Sequence, residues 1–186
     1  MPRLLTMSSA IAILNAGAAA DPRPPHGAAP ELAEMGNAMA GAWSCKGQGL
    51  GRDMKLTEMT ATSKWTIDVS GWWLHESFTG TVGKETPHVY EAYITYDPGA
   101  KKWRRVMVTG GGGWNTGETT SVTACGAAPN GCKLEWELSA HTMRGDFLFR
   151  DHVDATDVKA GVKGWGEMSL DKGKTWMKAY ELTCKK

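Results

Sequence analysis

The residues best placed to do chemistry lie near the end of this 186-residue chain, in Trp176-Met177-Lys178-Ala179-Tyr180-Glu181-Leu182. In an extended strand alternate residues share a face, so the spacing predicts that Trp176, Lys178, Tyr180 and Leu182 stand together. An ammonium and a phenol beside aromatic surface could hold a carboxylate. The competing arrangement runs the Lys178 stem to a rim and gives the Tyr180 hydroxyl to the backbone. Arg104 and Arg105 are adjacent, so they point to opposite faces of one strand and no more than one is internal. An internal guanidinium needs an anionic partner or ligand.

Nine tryptophans accompany these groups, at positions 43, 65, 72, 73, 103, 114, 136, 165 and 176. They either fill an interior or line a pocket. Trp43, Trp65, Trp73, Trp136 and Trp176 are the wall candidates, with Tyr180 beside them and Lys178 or Arg104 as the polar handle. The histidines, His26, His75, His88, His141 and His152, form no H-x-H or H-E-x-x-H spacing, so no metal site is expected. His75 or His152 singly could serve as an axial haem ligand, and a surface role is the alternative. There is no G-x-S-x-G and no Ser, His and Asp arrangement, so no catalytic residue is assigned. The run Gly110 to Gly113 lacks the lysine and hydroxyl of a phosphate loop and reads as a loop at a rim. No cofactor is expected.

Charge narrows the partners. Lys and Arg number 21 against 20 Asp and Glu, a net charge of +1 with no run of one sign, which disfavours nucleic acid and anionic membrane. Residues 1–20 combine Arg3, an apolar run from Leu4 to Leu14 and a closing Ala18-Ala19-Ala20, the pattern of a cleaved secretory leader. The apolar run is too short for a permanent span, so no stable membrane insertion is expected. The expected compartment is periplasmic or secreted.

The remaining chain is sized for one domain. Residues 21–30, with four prolines, read as a linker, and residues 31–186 as the folded unit. Leu32, Met35 and Met39 recur at helical spacing, which predicts a short helix from Glu31 to Met39 covering one end. Beyond Gly41, strand-like runs alternate with turn chemistry. The candidates are Ala42–Gly49, Met59–Val69, Trp72–Val82, His88–Tyr96, Lys102–Thr109, Trp114–Thr123, Lys133–Ser139, Gly145–Val153, Val162–Leu170 and Thr175–Cys184. Met59, Ala61, Trp65, Ile67 and Val69 should share one face, as should Leu134, Trp136 and Leu138, and these faces should be the interior.

Four cysteines in an exported chain suggest two disulfides, with three connectivities possible. The preferred set joins Cys45 to Cys184 and Cys125 to Cys132. The first pair would bring the first and last strands together, which closes an antiparallel sheet into an up-and-down barrel of about ten strands without edges.

Gly41-Ala42-Trp43, following a short helix and opening the first strand, resembles the G-x-W signature of lipocalins and the wider calycin group. With the leader, ten strands, W-x-C near the start and L-x-C near the end, the pattern is similar to small exported bacterial calycin-like barrels. That resemblance covers about Ala40 to Lys186 and implies a cavity for a small hydrophobic or amphipathic molecule. The lipocalin T-D-Y element has only Tyr96-Asp97 as its nearest fragment. Where fatty-acid-binding proteins carry R-x-Y, this chain has Lys178-Ala179-Tyr180. Strand number and the Trp43 to Gly49 opening also resemble nitrobindin-like haem barrels. Those take an axial histidine from near the C-terminus, where this chain has none after His152. Finally, Ser169-Leu170-Asp171-Lys172-Gly173-Lys174-Thr175-Trp176 resembles the Asp-box of sialidase hairpins, which implies a reinforced turn and no glycosidase.

Overall fold

A computed structural model describes residues 28–68, 70–119, 133–143 and 145–186. Residues 1–27, where a leader and most of a linker with His26 are expected, Val69, residues 120–132 with the expected Cys125–Cys132 pair, and Arg144 lie outside them. Helix α1 spans Pro30–Met39 and is followed by ten strands: β1 Gly41–Leu50, β2 Leu56–Ile67, β3 Leu74–Val82, β4 His88–Asp97, β5 Lys102–Thr109, β6 Trp114–Thr119, β7 Lys133–Thr142, β8 Gly145–Asp154, β9 Val162–Ser169 and β10 Met177–Lys185. Each strand pairs antiparallel with its neighbours in sequence, and β1 pairs with β10, giving a closed up-and-down barrel.

Alternation decides the inside. On β2, Met59, Ala61, Ser63 and Trp65 are buried, and on β7 so are Leu134, Trp136, Leu138 and Ala140. Ile67, expected inside, is partly exposed but lies against α1, where a Cβ on Gly36 would meet its Cδ1 at 2.5 Å. The helix starts at a proline whose missing N–H costs nothing in the first turn. It buries Leu32, Met35 and Met39 against the barrel end formed by the last residues of β2 and β4.

Closure takes place at the β1–β10 seam. Cys45 and Cys184 are directly opposed in the register and form a disulfide. Close strand approach there requires Gly47, because a Cβ would lie 1.9 Å from the Glu181 carbonyl oxygen.

At the β9–β10 hairpin the sequence reading placed a strand start too early, at Thr175. Asp171 holds residues 170–176 as a loop instead, accepting from the Thr175 amide at 2.8 Å and the Thr175 hydroxyl at 2.7 Å. The Ser169 hydroxyl donates to Asp171 at 2.8 Å and accepts from the Gly173 amide at 2.7 Å. These bonds, the Thr175 amide first, hold the Asp171 carboxyl down at about 2. Backbone groups engaged by a side chain are withdrawn from the ladder, so β10 begins only at Met177.

Candidate functional site

The barrel encloses a cavity of about 850 Å³. Its helix end is bordered by Met35, Met39, Trp43 and Ile94. Its walls include Trp65, Phe78, Trp136, Phe149 and Leu182, and its other end opens between Leu50, Pro87, Gly110 to Gly111, Trp114 and His141. The walls are apolar because each strand sends its alternate residues inward.

Across the middle runs a belt of polar groups in phase with those apolar positions. On β3 the inward series is Leu74, Glu76, Phe78; on β5 it is Trp103, Arg105, Met107; on β8 it is Phe149, Asp151, Val153. Glu76 Oε1 accepts from the Ser63 hydroxyl at 2.8 Å and the Tyr90 hydroxyl at 3.1 Å. Arg105 Nη1 donates to Asp151 Oδ2 at 2.6 Å, and the Tyr180 hydroxyl donates to Asp151 Oδ1. The Arg105 guanidinium lies 5.1 Å from the Trp136 ring centre. Such a pair is held by geometry, since removing one partner would strand the other charge away from water.

Electrostatics follow from burial. Desolvation pushes the Glu76 carboxyl up to about 7, against the Ser63 and Tyr90 hydrogen bonds and the Arg105 charge, which pull it down. Tyr90 and Tyr180 are pushed well above the usual phenol range, first by burial, then by Glu76 beside Tyr90 and Asp151 beside Tyr180. Burial is the largest influence on Arg105 and opposes its charge, yet Asp151, Tyr90 and Tyr180 together outweigh it and the proton is held more firmly than usual.

The structure sorts the residues singled out in the sequence. Trp43, Trp65, Trp136 and Tyr180 border the cavity. The Trp43 indole also donates to the Met39 carbonyl at 2.8 Å, tying β1 to α1. Arg104 is the outward arginine, bonded to Asp97 at 3.2 Å and Glu118 at 3.0 Å, and Arg105 is the internal one. Trp73 belongs to the β2–β3 connection, where its carbonyl accepts the Asp68 amide. Trp176 lies outside the barrel beneath the Arg150 guanidinium at 4.0 Å, with its indole donating to the Gly173 carbonyl at 3.2 Å. Lys178 is exposed and paired with Glu181.

The expected common face of Trp176, Lys178 and Tyr180 is therefore broken, and the cause is a bulge between Lys178 and Tyr180 in the pairing of β10 with β9. One extra residue inverts the alternation. Tyr180 stays inside, stacked on Phe149, with ring centres 6.3 Å apart over Gly166. A Cβ on Gly166 would meet Tyr180 Cε1 at 2.4 Å.

Among the histidines, His75 is bonded to Glu91 at 2.6 Å on the outer face and stacks on Tyr93. His152 stacks on Trp165, also outside. His88 and His141 stand at the open mouth. None of these four described histidines bonds to the belt.

No protein-family model matches this chain, and no curated protein matches it. A solved structure does. The crystal structure of Rv2717c from M. tuberculosis is similar, with a TM-score of 0.60 at 15% sequence identity over 86% of this chain and 98% of that one. At that identity the likeness is one of fold.

Sequence reasoning missed Glu76, Asp151, Tyr90 and Ser63, and it left Arg105 as one of two candidates for the internal guanidinium while naming Arg104 as the polar handle. A signal was present: in β3, β5 and β8 an ionisable residue occupies the inward phase between two apolar ones. Two carboxyls and one guanidinium in that phase point to a buried cluster.

Proposed function

We propose that the protein is an exported, calycin-like barrel that binds a small hydrophobic or amphipathic molecule. The observation that carries this reading is the cavity of about 850 Å³, apolar along its walls and open at one end, a size ordinary for small-molecule sites. The Cys45–Cys184 disulfide is compatible with a compartment outside the cytoplasm. Trp43, Trp65, Trp136 and Tyr180 are the proposed contact residues. The Arg105, Asp151 and Tyr180 cluster takes the place of Lys178 and Arg104 as the polar handle.

The test is native mass spectrometry of the protein purified from its own host, followed by titration of the emptied barrel with the uncharged dye Nile red. Saturable binding with a change in tryptophan emission is expected, because four rings border the cavity or stand at its mouth. Absence of any retained molecule together with absence of dye binding would leave a purely structural barrel.

A further inference from the structure

The belt also constrains the ligand's head group, an inference that rests on the binding reading above. It holds two carboxyls, Glu76 and Asp151, around the one guanidinium of Arg105, and Asp151 already neutralises that guanidinium at 2.6 Å. An anionic head would become a third acid around one cation.

Among the described residues, three buried atoms on the inner faces of β5 and β6 lack a hydrogen-bond partner: Trp103 Nε1, which does not border the cavity, and two on residues that do, Arg105 Nε, a donor, and Asn115 Oδ1, an acceptor. Arg105 opposes Gly117, and Asn115 opposes Met107, so the two are diagonal neighbours on adjacent strands, with Cβ atoms about 7 Å apart. A buried polar atom left unpaired is costly, so a group that completes both bonds is favoured over one that completes neither. A carboxylate can accept from Arg105 Nε but gives nothing to Asn115 Oδ1. An ammonium can donate to Asn115 but presses a second positive charge on Arg105. A carboxamide or hydroxyl does both. Glu76 supplies a further acceptor, because both of its hydrogen bonds go to Oε1.

We propose that the cavity binds an amphiphile whose buried head group is uncharged and both donates and accepts hydrogen bonds, as a carboxamide or alcohol does, and that it rejects carboxylates. Arg105 and Asn115 are then specificity-determining residues, and Glu76 enforces the exclusion of anions. Ser63 on β2, Tyr90 on β4, Arg105 on β5 and Asp151 on β8 are the polar and charged groups that set the Glu76 carboxyl, which in turn raises Tyr180 on β10. Its value near 7 makes the exclusion strongest above neutral pH.

Calorimetric titration at pH 8 with decanamide, decanol, decanoate and decylammonium tests the ranking, with Nile red as the head-independent control. The amide and alcohol should bind at least about tenfold more tightly than the two ions. The decanoate deficit should narrow several-fold at pH 6, where decanoate is still ionised but Glu76 is protonated. Asn115→Leu should narrow the advantage of decanamide, and Glu76→Gln, isosteric and checked for folding by circular dichroism, should narrow the penalty on decanoate. Decanoate or decylammonium binding as tightly as decanamide, or a ranking indifferent to both substitutions, overturns the head-group assignment while Nile red binding keeps the cavity reading. Loss of dye and amphiphile binding alike overturns both.

Discussion

Glu76 is the residue at which stability and site meet. Its carboxyl is raised from 4.5 to about 7 by burial, so over that interval the folded protein keeps a proton that the unfolded chain has released. Linkage then requires stability to fall as pH rises from 4.5 through 7 and to stay low above it, by up to about 3 kcal/mol. Urea unfolding across pH 4 to 8 should show this decline in the wild type and a flatter profile in Glu76→Gln; parallel profiles would refute the assignment. Gly166 makes a second prediction at this scale. Adding a methyl drives into Tyr180 and Phe149, so Gly166→Ala should cost about 1–3 kcal/mol in urea unfolding. It should also shift the near-ultraviolet tyrosine signal as Tyr180 leaves Asp151. An unchanged spectrum and midpoint would mean that the ring has slack.

At the level of elements, α1 is a plug held by a few side chains. Leu32 is 1% exposed on a ten-residue helix, and Leu32→Ala should cost about 2–5 kcal/mol and quicken Nile red entry from the helix end, read by stopped-flow fluorescence. Unaltered entry would show that the plug is not a barrier. The helix was legible in the sequence because Leu32, Met35 and Met39 repeat at its own period, and the strands because their turns carry glycine and aspartate. The β10 face was not legible. A bulge is one residue of extra length in a pairing between distant segments, and Lys178-Ala179-Tyr180 carries no compositional mark of it. The parity of Arg104 and Arg105 was hidden for a related reason: both faces of β5 carry an arginine, and only the partners Asp97, Glu118 and Asp151 decide which goes in.

For the molecule as a whole, the consequential link is Cys45–Cys184, which spans 139 residues of sequence. In the chain-entropy picture a loop of that size stabilises the fold by roughly 5 kcal/mol. The double substitution Cys45→Ser/Cys184→Ser should lower the thermal midpoint by roughly 10–20 °C, measured by calorimetry, and an unchanged midpoint would remove the seam from the account of stability. Barrel closure could be read from the sequence because the two cysteines and their alternating neighbours are local facts, whereas the belt depends on which strands come to face one another across the interior. The same link has a mechanical side. Tension applied to residues outside the cystine pair passes from Cys45 to Cys184 through two sulfur atoms, so the chain between them, β2 to β9 with parts of β1 and β10, bears none of it. In an optical trap the oxidised barrel should show only the short extension of α1 and residues 41–44 at forces that open ordinary β domains. Adding a reductant should release a single new contour length of roughly 450–500 Å.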